Sequence, residues 1–215
     1  MSCKHPNIVR LYAAFEYDGE IFMIMEYVSK GNLFKHLNQT SGKKFTEEKV
    51  AIFFKDIIAA FEYLHSKDPP ILHRFVIYKI IYLSIIIRDL KPENILVDQN
   101  LRLKLADFGW SRQKETNRTT FCGTPDYLSP EMINGTEQTE KLDIWCMGIL
   151  MFELLHGQAP FSLNKKFNPR NKLQEIQRDI LKGDITFKKE ISEEAQEIIR
   201  AMMDPDPLML SLIHI

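Results

Sequence analysis

The chain has 215 residues, of which 45 % are apolar, enough to bury the core of one large domain or two small ones. With 28 Lys and Arg against 29 Asp and Glu, its net charge of −1 excludes the strongly basic character expected of a protein that binds nucleic acid or an acidic membrane surface. The three cysteines, Cys3, Cys122 and Cys146, are an odd number without metal-ligand spacing and fit a reducing cytoplasmic or nuclear compartment; the first residues do not read as a signal peptide.

Residues 8–15 and 21–27 flank Asp18-Gly19-Glu20 and predict a β-hairpin whose turn is supplied by Asp-Gly. Residues 31–37 predict a short helix. Thr46-Glu47-Glu48 caps a longer one, with Val50, Phe53, Phe54, Ile57, Ile58, Phe61 and Leu64 as an apolar stripe at three-and-four spacing. That stripe reads as core. A second hairpin is expected where Ile95-Leu96-Val97 and residues 101–105 surround the turn signal Asp98-Gln99-Asn100. Residues 139–155 are apolar nearly all round after a charged start, as befits a helix at the centre of a helical lobe. Residues 172–182 and 192–203 are amphipathic helices, the second opening on the capping signal Ser192-Glu193-Glu194, and residues 162–171 read as a polar, solvated loop.

Chemistry concentrates around the second hairpin. Asp89-Leu90-Lys91-Pro92-Glu93-Asn94 precedes it, and Asp107-Phe108-Gly109 follows thirteen residues after Asn94, so one hairpin delivers Asp89, Asn94 and Asp107 to one cleft. In-line transfer of a terminal phosphoryl group needs such a set: one carboxylate beside the acceptor hydroxyl, and a separate carboxylate and amide holding magnesium against the phosphates. Either run alone is a weak signal. Both at this separation, followed by Gly123-Thr124-Pro125, Ser129-Pro130-Glu131 and Asp143-Ile144-Trp145, make a specific pattern.

In that order the segments resemble the eukaryotic protein kinase superfamily, over almost the whole chain except residues 75–88 and the last six. Asp107-Phe108-Gly109-Trp110-Ser111 and the run Arg118-Thr119-Thr120-Phe121-Cys122-Gly123-Thr124-Pro125 look most like Aurora kinases, and His5-Pro6-Asn7-Ile8 agrees. The resemblance implies a two-lobed α+β fold, with residues 1–28 a remnant of the small lobe and hinge and residues 29–209 the mainly helical large lobe. It also implies an ATP- and magnesium-dependent Ser/Thr kinase. Asp89 would orient the acceptor proton and Lys91 would neutralise the moving phosphoryl group; Asn94 and Asp107 would hold magnesium, a hard cation that prefers oxygen ligands. Met25 stands at the gatekeeper position, Glu26 to Val28 resemble the hinge that reads adenine, and Leu96 would floor that pocket. Glu93 belongs beside the cofactor set and is placed like the acidic residue that reads an Arg two before the acceptor. Thr120 resembles the activation-loop phosphosite, whose phosphate would pair with the Arg preceding Asp89. Thr124 would bond to Asp89 or Lys91, Asp143 would brace the catalytic loop, and Glu131 would seek an Arg near the C terminus. The partners implied are protein substrates with basic residues before the acceptor and an activator protein, with neither nucleic acid nor membrane.

Three departures qualify the match. The chain opens with the pattern already under way, without a Gly-rich loop, a strand-three Lys or its Glu partner, so the chain as written is expected to be inactive. Fourteen residues, 75–88, separate His73-Arg74 from Asp89. Their AT-rich codon usage and intron-like ends point to a retained intron; a genuine loop insertion or a membrane anchor are alternatives, although the apolar run containing Lys79 falls short of the roughly 20 residues that span a bilayer. Residues 210–215 back-translate to a sequence resembling a transposase adaptor and read as a sequencing artefact; they stand where the Arg partner of Glu131 is expected, so the chain as written is also expected to fold poorly. Two rival readings stay open: a pseudokinase or scaffold fragment, against which the intact Asp89, Lys91, Asn94 and Asp107 argue, and a kinase of the calcium or polo type.

Overall fold

A computed structural model describes residues 4–66, 90–106, 125–136, 141–163, 167–168, 170–188 and 190–205. A strand-rich part precedes a mainly helical one, an α+β arrangement. β1 (Leu11–Tyr17) pairs antiparallel with β2 (Glu20–Met25), closing at Tyr17 opposite Glu20. Asp18 and Gly19 both have positive φ, 51° and 74°, the backbone of a tight turn that matches the right-handed twist of the strands. Tyr12, Phe15, Tyr17, Ile21 and Ile24 remain exposed on this hairpin. Ile8, expected within the first strand, instead forms a parallel bridge to Leu105.

The helical part is assembled on capped amphipathic segments. α1 (Leu33–Gln39) starts at Asn32, whose side chain accepts from Lys35 N at 3.0 Å. α2 (Glu47–His65) is capped by Thr46 and buries Val50, Phe53, Phe54, Ile57, Phe61 and Leu64, the expected stripe, while Ile58 is partly buried. β3 (Ile95–Val97) and β4 (Leu103–Leu105) form the second hairpin, in the register Ile95 with Leu105 and Val97 with Leu103. Its turn is held by the Asp98 carboxylate, which accepts from Asn100 N and Arg102 N at 2.8 and 2.9 Å.

α3 (Pro130–Asn134) is capped by Ser129, and α4 (Lys141–His156) runs through the core with Trp145, Ile149, Leu150, Phe152 and Leu154 buried. Gly148 lets α4 approach α6 (Glu193–Met202): a Cβ there would lie 2.5 Å from the Met203 side chain. Glu47 ties the start of α2 to the cap of α6, accepting from Ser192 N at 2.8 Å and Ser192 Oγ at 2.6 Å. α5 (Lys172–Lys182) packs against the turns Pro125–Tyr127 and Pro160–Ser162. The loop expected to be solvated is anchored at its start: Leu163 is buried, and Ser162 Oγ donates to the Asp126 carboxylate. Among the described residues no helix is long and apolar enough to cross a membrane; residues 75–88 and 210–215 lie outside them.

One polar tie joins α2 to the second hairpin. Asp56, 1 % exposed, accepts from Leu103 N at 2.8 Å and from Arg102 Nε at 2.9 and 3.0 Å, with a further bond from Arg102 Nη2. A buried carboxylate requires such donors, and losing the partner of a buried charge costs about 3–5 kcal/mol. Asp56→Ala removes that charge but strands Leu103 N–H, so it should lower stability by about 1–3 kcal/mol in urea unfolding; Asp56→Ala with wild-type stability would show that the tie does not hold β4.

Candidate active site

The β3–β4 hairpin is gripped on both edges. On one side Val97 N donates to Gly31 O at 2.8 Å, and Lys30 N to Val97 O at 3.2 Å, so the segment following β2 runs beside β3. On the other side Leu105 N donates to Asn7 O at 2.8 Å, Val9 N to Leu105 O at 2.9 Å, and Asn7 Nδ2 to Leu103 O at 2.9 Å. The open end lies at Asn94 and Ala106. Ala106 N donates to Asn94 O at 3.0 Å, one step beyond the Ile95–Leu105 pair, so the residue preceding Asp107 is bonded to Asn94.

Of the expected site residues, Asp89, Asp107, Thr120 and Thr124 lie outside the described residues. Lys91 leads into the turn Pro92–Asn94, closed by Asn94 N donating to Lys91 O at 3.0 Å, with Glu93 exposed between them. The Asn94 side chain carries an amide oxygen, a hard donor of the kind that suits a divalent cation such as magnesium.

Met25 ends β2, half-buried, and Glu26, Tyr27 and Val28 follow outside the strand. Glu26 is held from two directions: its N–H donates to Arg10 O at 2.8 Å, while its carboxylate accepts from Arg10 N at 3.2 Å and pairs with Lys104 Nζ at 2.9 Å. Lys104 is the cross-strand partner of Leu96. Because strand residues alternate faces, Leu96 points away from buried Ile95 and Val97, on the face Lys104 turns toward Glu26. Glu26 and Leu96 are thereby brought to one side of the hairpin.

A second grouping was not anticipated from the sequence. Lys91, Glu93, Asp126, Tyr127, Glu153, Ala159, Ser162 and Lys172 are among the residues that line a cleft of about 240 Å³. Tyr127 Oη donates to Glu153 Oε2 at 2.5 Å. Burial pushes the Glu153 carboxyl up to about 7, with the Glu93 and Asp126 charges adding to the rise and the Tyr127 bond opposing it. Burial, followed by the Glu153 charge, likewise pushes the Tyr127 phenol well above its ordinary value. The available signal was Glu153 as the lone charge in the otherwise apolar run 144–155. Asp143, also buried, meets His65 Nε2 at 3.2 Å; the loop it was expected to brace lies outside the described residues. Glu131 has one buried carboxylate oxygen without a hydrogen-bond partner among the described residues.

A family model described as the protein kinase domain matches residues 1–209. The chain is 36 % identical over 205 residues to Aurora kinase A-B of Xenopus laevis, covering 95 % of this chain and 44 % of that protein. It is 36 % identical over 208 residues to an Aurora kinase of Eremothecium gossypii, covering 96 % and 50 %. Protein kinase 3 of Dictyostelium discoideum is 35 % identical over 215 residues, covering 94 % and 21 %. The chain therefore belongs to the protein kinase domain family, and it spans half or less of the length of these relatives.

Glu153 makes a pH prediction. The folded chain holds this proton to about pH 7, whereas the unfolded chain releases it near 4.5, so the folded state binds more protons between those values. Its contribution to stability therefore falls as pH rises from about 4.5 to 7 and is level above. Glu153→Gln, which keeps an acceptor for Tyr127, should remove that decline, gaining about 2 kcal/mol on the wild type between pH 5 and 8 in thermal unfolding. Parallel pH profiles for the two proteins would contradict it.

Proposed function

We propose that this chain is the larger part of the catalytic domain of an Aurora-like protein serine/threonine kinase, which transfers the terminal phosphoryl group of ATP to Ser or Thr hydroxyls of proteins. The observation that carries the reading is the bond from Ala106 N to Asn94 O, which sets the residue before Asp107 against Asn94 at the end of one hairpin. Asn94 and Asp107 would hold magnesium; when bound, magnesium supplies charge neutralisation on the phosphates. Asp89 accepts or orients the proton of the attacking hydroxyl, and Lys91 offsets charge on the group in flight. Met25, Glu26, Val28 and Leu96 form the adenine side, where the Lys104 and Arg10 contacts to Glu26 keep the hinge segment in place.

The acidic cleft supports a preference for substrates with Arg two residues before the acceptor, since Glu93 offers an exposed carboxylate for a charge-assisted pair. Thr120 is the proposed autophosphorylation site and Thr124 a partner of Asp89 or Lys91. An activator protein and a cytoplasmic or nuclear location belong to the same reading. Residues 75–88 are proposed as a retained intron and residues 210–215 as foreign sequence.

In the full-length protein with Arg74 joined directly to Asp89, Asp89→Ala should lower kcat by about 10²- to 10⁴-fold in a magnesium–ATP peptide assay. Undiminished transfer by that variant would refute the assignment. Mass spectrometry should find Thr120 as the main self-modified residue; modification of Thr116 or Thr119 instead, with Thr120→Ala fully active, would reject the phosphosite. Sequencing the spliced transcript should show no codons for residues 75–88, and their presence in every transcript would make the segment a true insertion.

A further inference from the structure

The cleft beside Lys91 contains a cation that neither helix stability nor the transfer chemistry explains. Lys172 is the first residue of α5, and the preceding Asn171 makes no side-chain capping bond. A positive charge is unfavourable at a helix N-terminus, where the backbone N–H groups already concentrate positive potential. Its place is nevertheless defined. α5 packs on the turns Pro125–Tyr127 and Pro160–Ser162, which carry Asp126, Tyr127 and Ser162 of the cleft wall. The Lys172 ammonium lies 5.9 Å from the centroid of the half-buried Phe167 ring, within reach of a cation–π contact, and Lys172 is one of the residues lining the cleft.

Three carboxyl groups with different commitments line the same cleft. Asp126 accepts from Ser162 Oγ, Glu153 accepts from Tyr127 Oη, and Glu93 is exposed. Lys91 supplies a second cation on the side of the catalytic segment. A cleft that attracts a basic residue thus carries its own competing charge on the wall farthest along the chain from the catalytic loop.

We propose that Lys172 is a specificity-determining residue: its ammonium, at the rim of the cleft walled by Glu93, Asp126 and Glu153, partly neutralises that wall and lowers selection for a basic residue ahead of the acceptor. The proposal rests on the reading that this cleft receives that residue of the substrate. Because Lys172 is exposed, its effect is modest and screened by salt. It acts on the discrimination between substrates and leaves the transfer step alone.

The test uses the full-length protein and two peptides that differ only in Arg or Ala two residues before the acceptor Ser. Lys172→Gln should raise the Arg-over-Ala ratio of kcat/KM about threefold at low ionic strength, with the gain shrinking at high salt, while Lys172→Arg keeps the wild-type ratio. An unchanged ratio in Lys172→Gln, or the same rise in Lys172→Arg, overturns the proposal. Fluorescence anisotropy with the labelled Arg peptide separates this from the kinase reading. If the wild type modifies neither peptide, the kinase reading fails, and the anisotropy still decides the role of Lys172: about threefold tighter binding by Lys172→Gln supports it, and equal affinity overturns it.

Discussion

The carboxylate of Asp56 lies where water cannot solvate it, so protein donors must satisfy it, and those donors all come from β4 or the residue before it. That requirement fixes the height of the second hairpin against α2. Asn7 secures the opposite edge of β4 through Leu103 O and Leu105 N, and the Gly31 and Lys30 backbone secures β3. A hairpin only three residues long on each strand would be marginal alone. Held from three sides, it becomes a rigid mount, with its open end at Asn94 and Ala106 and its half-buried face, Leu96 and Lys104, turned to Glu26. On the proposed reading, the nucleotide side and the phosphoryl side of the site are two parts of one short hairpin.

The acidic cleft works on a different balance. Glu153 is held near neutrality by burial and by the neighbouring Glu93 and Asp126 charges, while its bond to Tyr127 favours ionisation. An incoming cation favours the ionised form, so occupation of the cleft by a basic side chain couples to release of a proton near pH 7. Lys172 and Lys91 line the same cleft. On the proposed reading, the cleft selects which chain is presented, while the hairpin carries the chemistry performed on it.

Local patterns with a single dominant cause were legible in the sequence. Asp18-Gly19 has both residues at positive φ as the turn requires, α5 begins and ends where its periodicity does, and Thr46 and Ser192 cap the helices they precede. What escaped were polar residues whose meaning depends on distant partners. Asp56 falls on the buried face of α2 between Phe53 and Ile57, and this misfit in an apolar stripe could have signalled a buried ion pair. Glu153 gave a similar hint in α4. His156 gave none: it is buried, stacked on Phe152 at 3.7 Å, with Nδ1 bonded to Phe152 O and Nε2 to Lys188 N, and burial lowers its pKa. Its partner Lys188 is 32 residues away and joins it only through tertiary packing. Ile8 was misplaced for a related reason, since a parallel bridge to Leu105 leaves no periodic trace in the sequence.

The most direct measurement is a crystal structure of the full-length protein with magnesium and a non-hydrolysable ATP analogue. The expected result is one magnesium ion ligated by both the Asn94 amide oxygen and the Asp107 carboxylate, with the adenine lying between the Glu26–Val28 backbone and Leu96. A nucleotide bound away from the β3–β4 hairpin, or magnesium that touches neither Asn94 nor Asp107, would contradict the assignment of the hairpin as the mount of a phosphoryl-transfer site.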